Sequence, residues 1–185
     1  LAMSYLTSGM NWQADYVVVL ATDEKTFGLN GWTTITNNSG ATYTNAKIKL
    51  LAGKLNRAPS YGGEGSGMTY ADEITEEAFF EYHLYTLPHP TTLRDKEQKQ
   101  VALLDAPQVP ATITYLLKTS GGYSNWNYVD TSKIEASVRL EFKNETAGGL
   151  GMALPKGTVR VYKADSEGVP QLIGEDAIDH TPTDE

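Results

Sequence analysis

The sequence predicts an all-β fold made mostly of antiparallel strands. Several short segments alternate apolar and polar residues with a period of two, which is the pattern of a strand that buries one face. The clearest is KIEASVRLEFK, where alternate apolar residues share the face expected to point inward: Ile134, Ala136, Val138, Leu140 and Phe142. Clusters of Gly, Pro, Asn, Asp and Ser separate these segments, as is typical of all-β domains.

The first strand is predicted over residues 12–23. Its centre, YVVVLA, is apolar without alternation, which is typical of a central strand buried on both faces. The segment TDEKT at 22–26 predicts a turn. Residues 28–53 then predict two strands joined by the turn NNSGATYTN.

The second of these strands has one apolar and one basic face. Ala46, Ile48, Leu50 and Ala52 point one way, and Lys47 and Lys49 point the other. In the first, Asn30-Gly31 resembles a hairpin turn, but only a three-residue strand would precede it. We therefore expect a bulge or a strained strand at this position.

Residues 54–77 predict a long mobile loop, because RAPSYGGEGSGM is rich in Gly and Ser and ADEITEE is acidic. A short helix with Asp72 as its N-cap is the alternative. Further strands are predicted at AFFEYHLYTL, KQVALLDA, ATITYLLKT, KIEASVRLEFK, TVRVYKA and VPQLIGEDAI.

These segments give about nine or ten strands, which predicts an antiparallel β-sandwich of immunoglobulin-like or fibronectin-like type. Residues 1–185 are expected to form one such domain, with long mobile loops. The chain starts with Leu-Ala-Met-Ser and ends in the polar IDHTPTDE. We interpret it as a domain of a longer protein whose targeting signal lies elsewhere.

Charge and composition exclude several classes of function. The formal net charge is −8, and no run of Lys and Arg is present to follow a phosphate backbone or an anionic membrane. The longest apolar run, residues 16–21, is too short to span a bilayer. The absence of cysteine excludes disulfides, thiolate metal sites and a Cys nucleophile.

Histidines provide one candidate catalytic or metal site. In a continuous strand AFFEYHLYTL, His83 would share a face with Phe79, Glu81 and Tyr85, and Glu81 and His83 would form a metal-binding or acid/base pair. A surface histidine bonded to a neighbour explains the pattern better. Neither His89 nor His180 has the spacing of a metal ligand. We therefore expect neither a metal nor a cofactor.

Other motifs are weaker. Glu76, Glu77 and Glu81 cluster, but a solvated acidic stretch is commoner than a glycosidase pair. GEGSGM is not a nucleophile elbow, because Glu64 stands two residues before Ser66. DSEG at 165–168 predicts a hairpin turn rather than a calcium loop. NNS at 37–39 and NET at 144–146 match the glycosylation pattern, and we assign them no role.

The loop GGYSNWNYVD carries the strongest binding signal. Its candidate binding residues are Tyr123, Asn125, Trp126, Asn127 and Tyr128. Loop aromatics stack against sugar rings or anchor a partner protein, and the amides supply hydrogen bonds. The alternative is that Trp126 packs back onto the edge of the sheet.

Four blocks in order carry a family resemblance: SYLTSGMNWQADYVVVL, GWTTITNNSGATYTNAKIKLLAG, FFEYHLYTLPHPTTL and LPKGTVRVYKADSEGVPQLIGEDAIDHTP. Together they resemble the bacterial family known as domain of unknown function 4139, some of whose members are described as relatives of mucoidy inhibitor A. The resemblance covers nearly the whole chain. It implies a β-rich domain, often exported within a longer polypeptide, and it supplies no catalytic residues. Many members have an acidic residue and a Trp after the NNSG turn, where this chain has Ala41-Thr42-Tyr43, so Tyr43 would take the packing place of that Trp.

The expected function is therefore non-catalytic: a structural or protein-interaction module of a bacterial extracytoplasmic protein, periplasmic or at the cell surface. Carbohydrate binding through the loop 120–130 is the alternative, and a hydrolase or metal enzyme using Glu81 and His83 is a third reading. Exposed edge strands would pair with a partner protein or a second copy. Nucleic-acid binding and membrane insertion are not expected.

Overall fold

A computed structural model of the chain describes residues 3–52, 76–79, 82–117 and 136–184. Within these segments the chain is almost entirely strand and loop, which confirms the all-β prediction. The strands are β1 (Met10–Leu20), β2 (Thr26–Asn37), β3 (Tyr43–Ala46), β4 (Lys49–Ala52), β5 (Glu76–Phe79), β6 (Tyr82–Thr86), β7 (Thr91–Leu93), β8 (Glu97–Pro110), β9 (Thr112–Leu117), β10 (Ala136–Glu141), β11 (Gly157–Ala164) and β12 (Pro170–Ile178), with a 3-10 turn at Thr146–Gly148. No helix in the described segments is long and apolar enough to cross a membrane.

The largest sheet has five strands in the order β12-β11-β1-β2-β8. The predicted first strand is central in this sheet. Its neighbour β2 runs antiparallel to it, whereas its other neighbour β11 runs parallel, with Ala14 opposite Gly157. The sheets are therefore mostly antiparallel, as predicted, with one parallel pair that joins the two ends of the chain.

One face of the large sheet forms one side of the hydrophobic core. Antiparallel pairing places Trp12 beside Ile35 and Val18 beside Leu29 on this face, and all four side chains are buried. On the opposite face Val19 is 40% exposed. The prediction that YVVVLA is buried on both faces is wrong, because consecutive valines also suit a strand that buries one face only.

The remaining strands contribute a second set of buried side chains. The order β4-β6-β5 forms a three-stranded sheet, and β3 pairs with β7. Leu50, Tyr85 and Leu93 from these strands belong to the same hydrophobic core as the buried face of the large sheet. Two buried hydroxyls extend this contact to the segment before β11: Tyr16 Oη donates to the Pro155 carbonyl at 2.9 Å, and Tyr85 Oη donates to the Ala153 carbonyl at 3.3 Å.

The alternation predicted for residues 46–52 is confirmed, since Leu50 and Ala52 are buried while Lys47 and Lys49 are exposed. The segment is nevertheless two strands in two different sheets. The turn after β2 thus carries the chain out of the large sheet instead of forming a hairpin within it.

AFFEYHLYTL is not one strand. Its ends belong to β5 and β6, which are antiparallel neighbours, with Phe79 opposite Tyr82. The predicted loop 54–77 also ends earlier than expected, because Glu76 and Glu77 belong to β5. The alternative helix at Asp72 lies outside the described residues.

The expected bulge at Asn30-Gly31 is confirmed. Both residues lie within β2, and its register against β8 shifts between Gly31 and Trp32. A Cβ on Gly31 would lie 3.0 Å from Leu103 Cδ2, so the glycine lets this core leucine approach the backbone of β2.

Candidate functional site

A cleft of about 410 Å³ lies between the start of β1 and the segment that runs through β3 and β4. We call it the Trp12 cleft. Its walls are mainly apolar: Met10, Trp12, Ile35, Tyr43, Ala46, Ile48, Leu50, Leu51 and Leu93. Both its size and its apolar lining are those of small-molecule binding sites.

Four polar residues complete the lining of the Trp12 cleft: Thr7, Asn11, Lys47 and Lys49. Both lysines are exposed, and neither forms an ion pair with another described residue. Along the chain these lysines alternate with Ile48 and Leu50, which pack in the core.

Trp12 carries a buried polar atom behind the wall of the cleft. The residue is only 5% exposed, and its indole Nε1–H has no hydrogen-bond partner in the part of the chain that the structure describes. A buried donor without a partner costs about 1–3 kcal/mol.

The segment before β1 borders the same cleft. Thr7 lines it, and a hydrogen bond between the side chains of Tyr5 and Tyr43 raises the pKa of Tyr5 above its ordinary value. Tyr43 itself is half-buried and pairs with Leu93 of β7. Whether it replaces the Trp of the resembling family stays a prediction.

A second surface is the two-stranded sheet of β9 and β10, which we call the arm. Register pairs Leu140 with Ile113, Val138 with Tyr115 and Ala136 with Leu117 on one face. Leu140 and Ile113 pack against the core at the root of the arm. Beyond them Tyr115, Leu117 and Val138 are 67%, 66% and 64% exposed.

The alternation predicted for KIEASVRLEFK is therefore correct in register and wrong in burial. Leu140 and Phe142 are half-buried, whereas Ala136 and Val138 are exposed. The residues that precede Leu140 on this face lie outside the core, because β10 pairs only with β9. Ile134 lies outside the described residues.

The predicted aromatic loop falls between β9 and β10 in the sequence. Its residues belong to 118–135, the part of the chain between β9 and β10 that lies outside the described segments: Tyr123, Asn125, Trp126, Asn127 and Tyr128. Carbohydrate binding through this loop stays a prediction.

The histidines are arranged differently from the predicted pair. Glu81 lies outside the described residues, whereas His83 of β6 contacts His180, with ring centroids 4.5 Å apart. His180 follows β12, so sequence spacing offered no signal for this contact. His89 is exposed. Among the described residues, no group of three or more His, Asp and Glu side chains is placed to hold a metal ion.

Both sequon asparagines turn out to be fully buried structural residues. Asn37 Nδ2 donates to the carbonyls of Ala41 and Arg94 at 2.8 and 2.9 Å, and more weakly to that of Leu93 at 3.3 Å. Its Oδ1 accepts from the backbone and hydroxyl of Ser39 at 3.0 and 2.7 Å. The pattern N-x-S here closes a turn.

Asn144 repeats this role near the C-terminus. Its Nδ2 donates to the carbonyls of Met152 at 2.7 Å, Pro182 at 2.9 Å and Thr181 at 3.2 Å. It thereby ties the loop before β11 to the segment after β12. A buried amide with its donors engaged is not accessible for modification.

The turn 165–168 is the predicted hairpin turn. Asp165 Oδ1 accepts from the backbone of Glu167 and Val169 at 2.9 and 3.0 Å, and Oδ2 accepts from Gln171 at 2.9 Å. The carboxylate thus holds its own turn. The segment GEGSGM around Ser66, which the sequence excludes as a nucleophile elbow, lies outside the described residues.

Comparisons of the chain with protein-family models, with curated proteins and with solved structures find no match. The resemblance to the family of domain of unknown function 4139 stays a prediction.

Proposed function

We propose that this chain is a non-catalytic structural module that assembles with a second copy of itself through the arm. The observation that supports this proposal is the apolar face on which Tyr115, Leu117 and Val138 are each about two-thirds exposed. A two-stranded sheet is marginally stable alone in water, and a second apolar surface over this face would stabilise it.

Charge favours a second copy as the partner. The described charges of the arm are Arg139 and Glu141, which form an ion pair of 3.6 Å on the face opposite the apolar side chains. They cancel locally, whereas the chain as a whole carries −8. Two copies repel each other least where they meet through neutral surfaces, and a two-fold axis would place one apolar face on the other.

The wider context is part of the same proposal. A five-stranded sheet that shares one core with smaller sheets supports a β-sandwich of immunoglobulin-like type. The family resemblance supports a bacterial, extracytoplasmic protein of which this chain is one module. An assembly role fits such a module, because its partners are further copies or neighbouring domains.

Sedimentation equilibrium over a wide range of protein concentration tests the proposal. We expect a reversible dimer that Val138→Asp weakens by about tenfold or more, since the change buries a charge in the contact. Ser137→Asp is the matched control, because Ser137 is the exposed neighbour on the opposite face of β10. It should leave the dimer constant unchanged.

A monomer at every concentration, or equal weakening by both variants, would overturn the role of the arm. Thermal unfolding of both variants separates lost association from lost folding. A substrate turnover that disappears on changing an acidic side chain to its amide would overturn the non-catalytic part.

A further inference from the structure

We infer that the outer face of the large sheet, which is the face opposite the core, binds a neutral glycan in the form of an extended β-1,4-linked chain. The site is centred on Trp32 of β2. Its side chains come from three neighbouring strands, β1, β2 and β8. It is separate from the arm and from the loop at 120–130, and it does not depend on self-association.

Trp32 lies on the outer face, because its neighbours along β2 lie on the core face. Gly31 and Thr33 are both buried, whereas Trp32 is half-buried. Its directly opposite partners are Asp15 of β1 and Ala102 of β8, and the short side chain of Ala102 is itself exposed. An indole on the surface of a sheet offers a flat apolar face, on which one face of a pyranose ring can stack.

Six uncharged polar side chains extend from Trp32 toward the end of β2, in two rows that each cross three strands. Residues directly opposite each other in antiparallel strands share a face, so each row takes one side chain from β1, one from β2 and one from β8. The rows are Gln13–Thr34–Gln100 and Asn11–Thr36–Gln98. The amide side chains are exposed, and the two threonines between them are half-buried. We call these six residues, together with Trp32, the Trp32 patch.

Most donors and acceptors of the Trp32 patch remain available to a ligand. Gln13 Nε2 donates to Asp15 Oδ2 at 3.4 Å, which is a long and weak bond. The other five polar side chains of the patch form no hydrogen bond with a residue that the structure describes.

The spacing of these groups fits an extended sugar chain. Neighbouring strands lie about 4.8 Å apart, so each row presents an amide or a hydroxyl at this interval. The interval is close to the length of one sugar unit in a β-1,4-linked chain. A chain that crosses the strands would therefore meet one hydrogen-bonding side chain per sugar.

The charges of this region favour a neutral ligand. All residues of the Trp32 patch are uncharged, and Asp15, the carboxylate opposite Trp32, forms an ion pair with Arg160 at 3.1 Å. The patch therefore offers no cation to a phosphate or a carboxylate. A partner protein would bury an apolar centre with few polar groups, whereas the side chains beyond Trp32 are amides and hydroxyls.

Isothermal titration with cellohexaose, maltohexaose and hexagalacturonic acid tests the inference. The first two contain the same sugar and differ in linkage, which makes cellohexaose extended and maltohexaose curved. We expect one cellohexaose per chain, bound at least about tenfold more tightly than either of the others. Equal affinity for maltohexaose would overturn the extended chain, and equal affinity for the acid would overturn the neutral ligand. No binding of cellohexaose would overturn the site.

Tryptophan variants localise the binding. Trp32→Ala should weaken cellohexaose binding by about tenfold or more, because it removes the stacking surface. Trp126→Ala is the matched control, since it removes the same side chain from the loop at 120–130, and it should leave the affinity unchanged. Loss of binding in Trp126→Ala alone, or equal loss in both variants, would overturn the location.

An amide variant keeps the test decisive if thermal unfolding shows that Trp32→Ala does not fold. Gln100→Ala removes an exposed side chain and should weaken cellohexaose binding by about fivefold, the effect of one or two lost hydrogen bonds. Gln108→Ala is its matched control, because Gln108 is exposed on the same strand and lies outside the Trp32 patch. Unchanged affinity in Gln100→Ala, or equal loss in both, would overturn the role of the polar rows.

Discussion

Asn37 and Asn144 each use one buried amide to join segments that are distant in the sequence. Asn37 holds the turn after β2 against the end of β7, and Asn144 holds the loop before β11 against the segment after β12. An amide suits this role because it donates two hydrogens and accepts on the same side chain. A carboxylate of nearly identical shape has no donor for the facing carbonyls.

The variant Asn37→Asp should therefore destabilise the fold by about 2–4 kcal/mol, because a buried carboxylate would face carbonyl oxygens without a donor between them. Urea unfolding at neutral pH measures the loss. Asn38→Asp is the control at the adjacent exposed position and should change stability by less than about 0.5 kcal/mol. Equal midpoints for the two variants would show that the amide network of Asn37 contributes little.

Sequence alone could not identify these residues. NNS and NET match a modification pattern, and the carbonyls that Asn37 reaches at Leu93 and Arg94 lie more than fifty residues away in the chain. Buried apolar residues such as Leu50 and Ala52 were easier to predict, because the local alternation of apolar and polar residues places them on one face of a strand. Burial of a polar side chain depends on partners that periodicity does not reveal.

Strand β11 depends on a glycine where it meets β1. A Cβ on Gly157 would lie 2.5 Å from the Ala14 carbonyl oxygen and 2.8 Å from Tyr16 Cε2. Tyr16 is fully buried and fixed by its hydrogen bond to Pro155, so it has little room to move. The close approach of the two backbones therefore requires the absence of a side chain.

Gly157→Ala should accordingly lower the free energy of unfolding by about 1–3 kcal/mol through overpacking. Gly174→Ala in β12 is the matched control, because nothing lies within 4 Å of the position its Cβ would take. Chemical denaturation of the two variants measures the difference. Loss of stability in the control alone, or in both equally, would contradict the steric explanation.

At this scale the sequence predicted which residues face together but not which strands pair. Alternation placed Val138 and Leu140 on one face of β10 correctly, yet only Leu140 reaches the core. The antiparallel pairing of β5 with β6 was also missed, because Phe79 and Tyr82 both suit a continuous strand. Pairing depends on the path of the chain between strands, and period-two patterns carry no information about that path.

Strands from the two ends of the chain pair with each other in the large sheet. The parallel pairing of β1 with β11 brings the last third of the chain beside its first strand. Arg160 of β11 strengthens this junction by binding Asp15 of β1 at 3.1 Å and Glu175 of β12 at 2.7 Å. Such long-range pairing is the part of an all-β fold least accessible to sequence patterns, because no local turn specifies it.

Carboxylates distributed over the surface make the stability of the whole fold depend on pH. Hydrogen bonds lower the pKa of three of them below its ordinary value: Gln171, with the turn backbone, acts on Asp165, the Arg94 backbone N–H acts on Glu97, and Lys156 acts on Asp179. Because folding lowers these pKa values, the groups stabilise the fold above their ordinary pKa of about 4. That contribution disappears as the pH falls through the lowered values.

Asp165→Asn isolates one of these contributions. The amide keeps an acceptor oxygen for one part of the turn but loses the charge, so the variant should melt at a lower temperature than the wild type at neutral pH. Its melting temperature should also fall less between about pH 5 and pH 3, since one carboxyl that favours the folded state has been removed. Differential scanning calorimetry across this range gives both quantities. Asp105→Asn is the control, because the Asp105 side chain is exposed and its carboxylate forms no hydrogen bond or ion pair with a described residue. If the difference in melting temperature between Asp165→Asn and the wild type stayed constant down to pH 3, the turn carboxylate would not be a source of the acid sensitivity. Glu97 and Asp179 would then have to supply it.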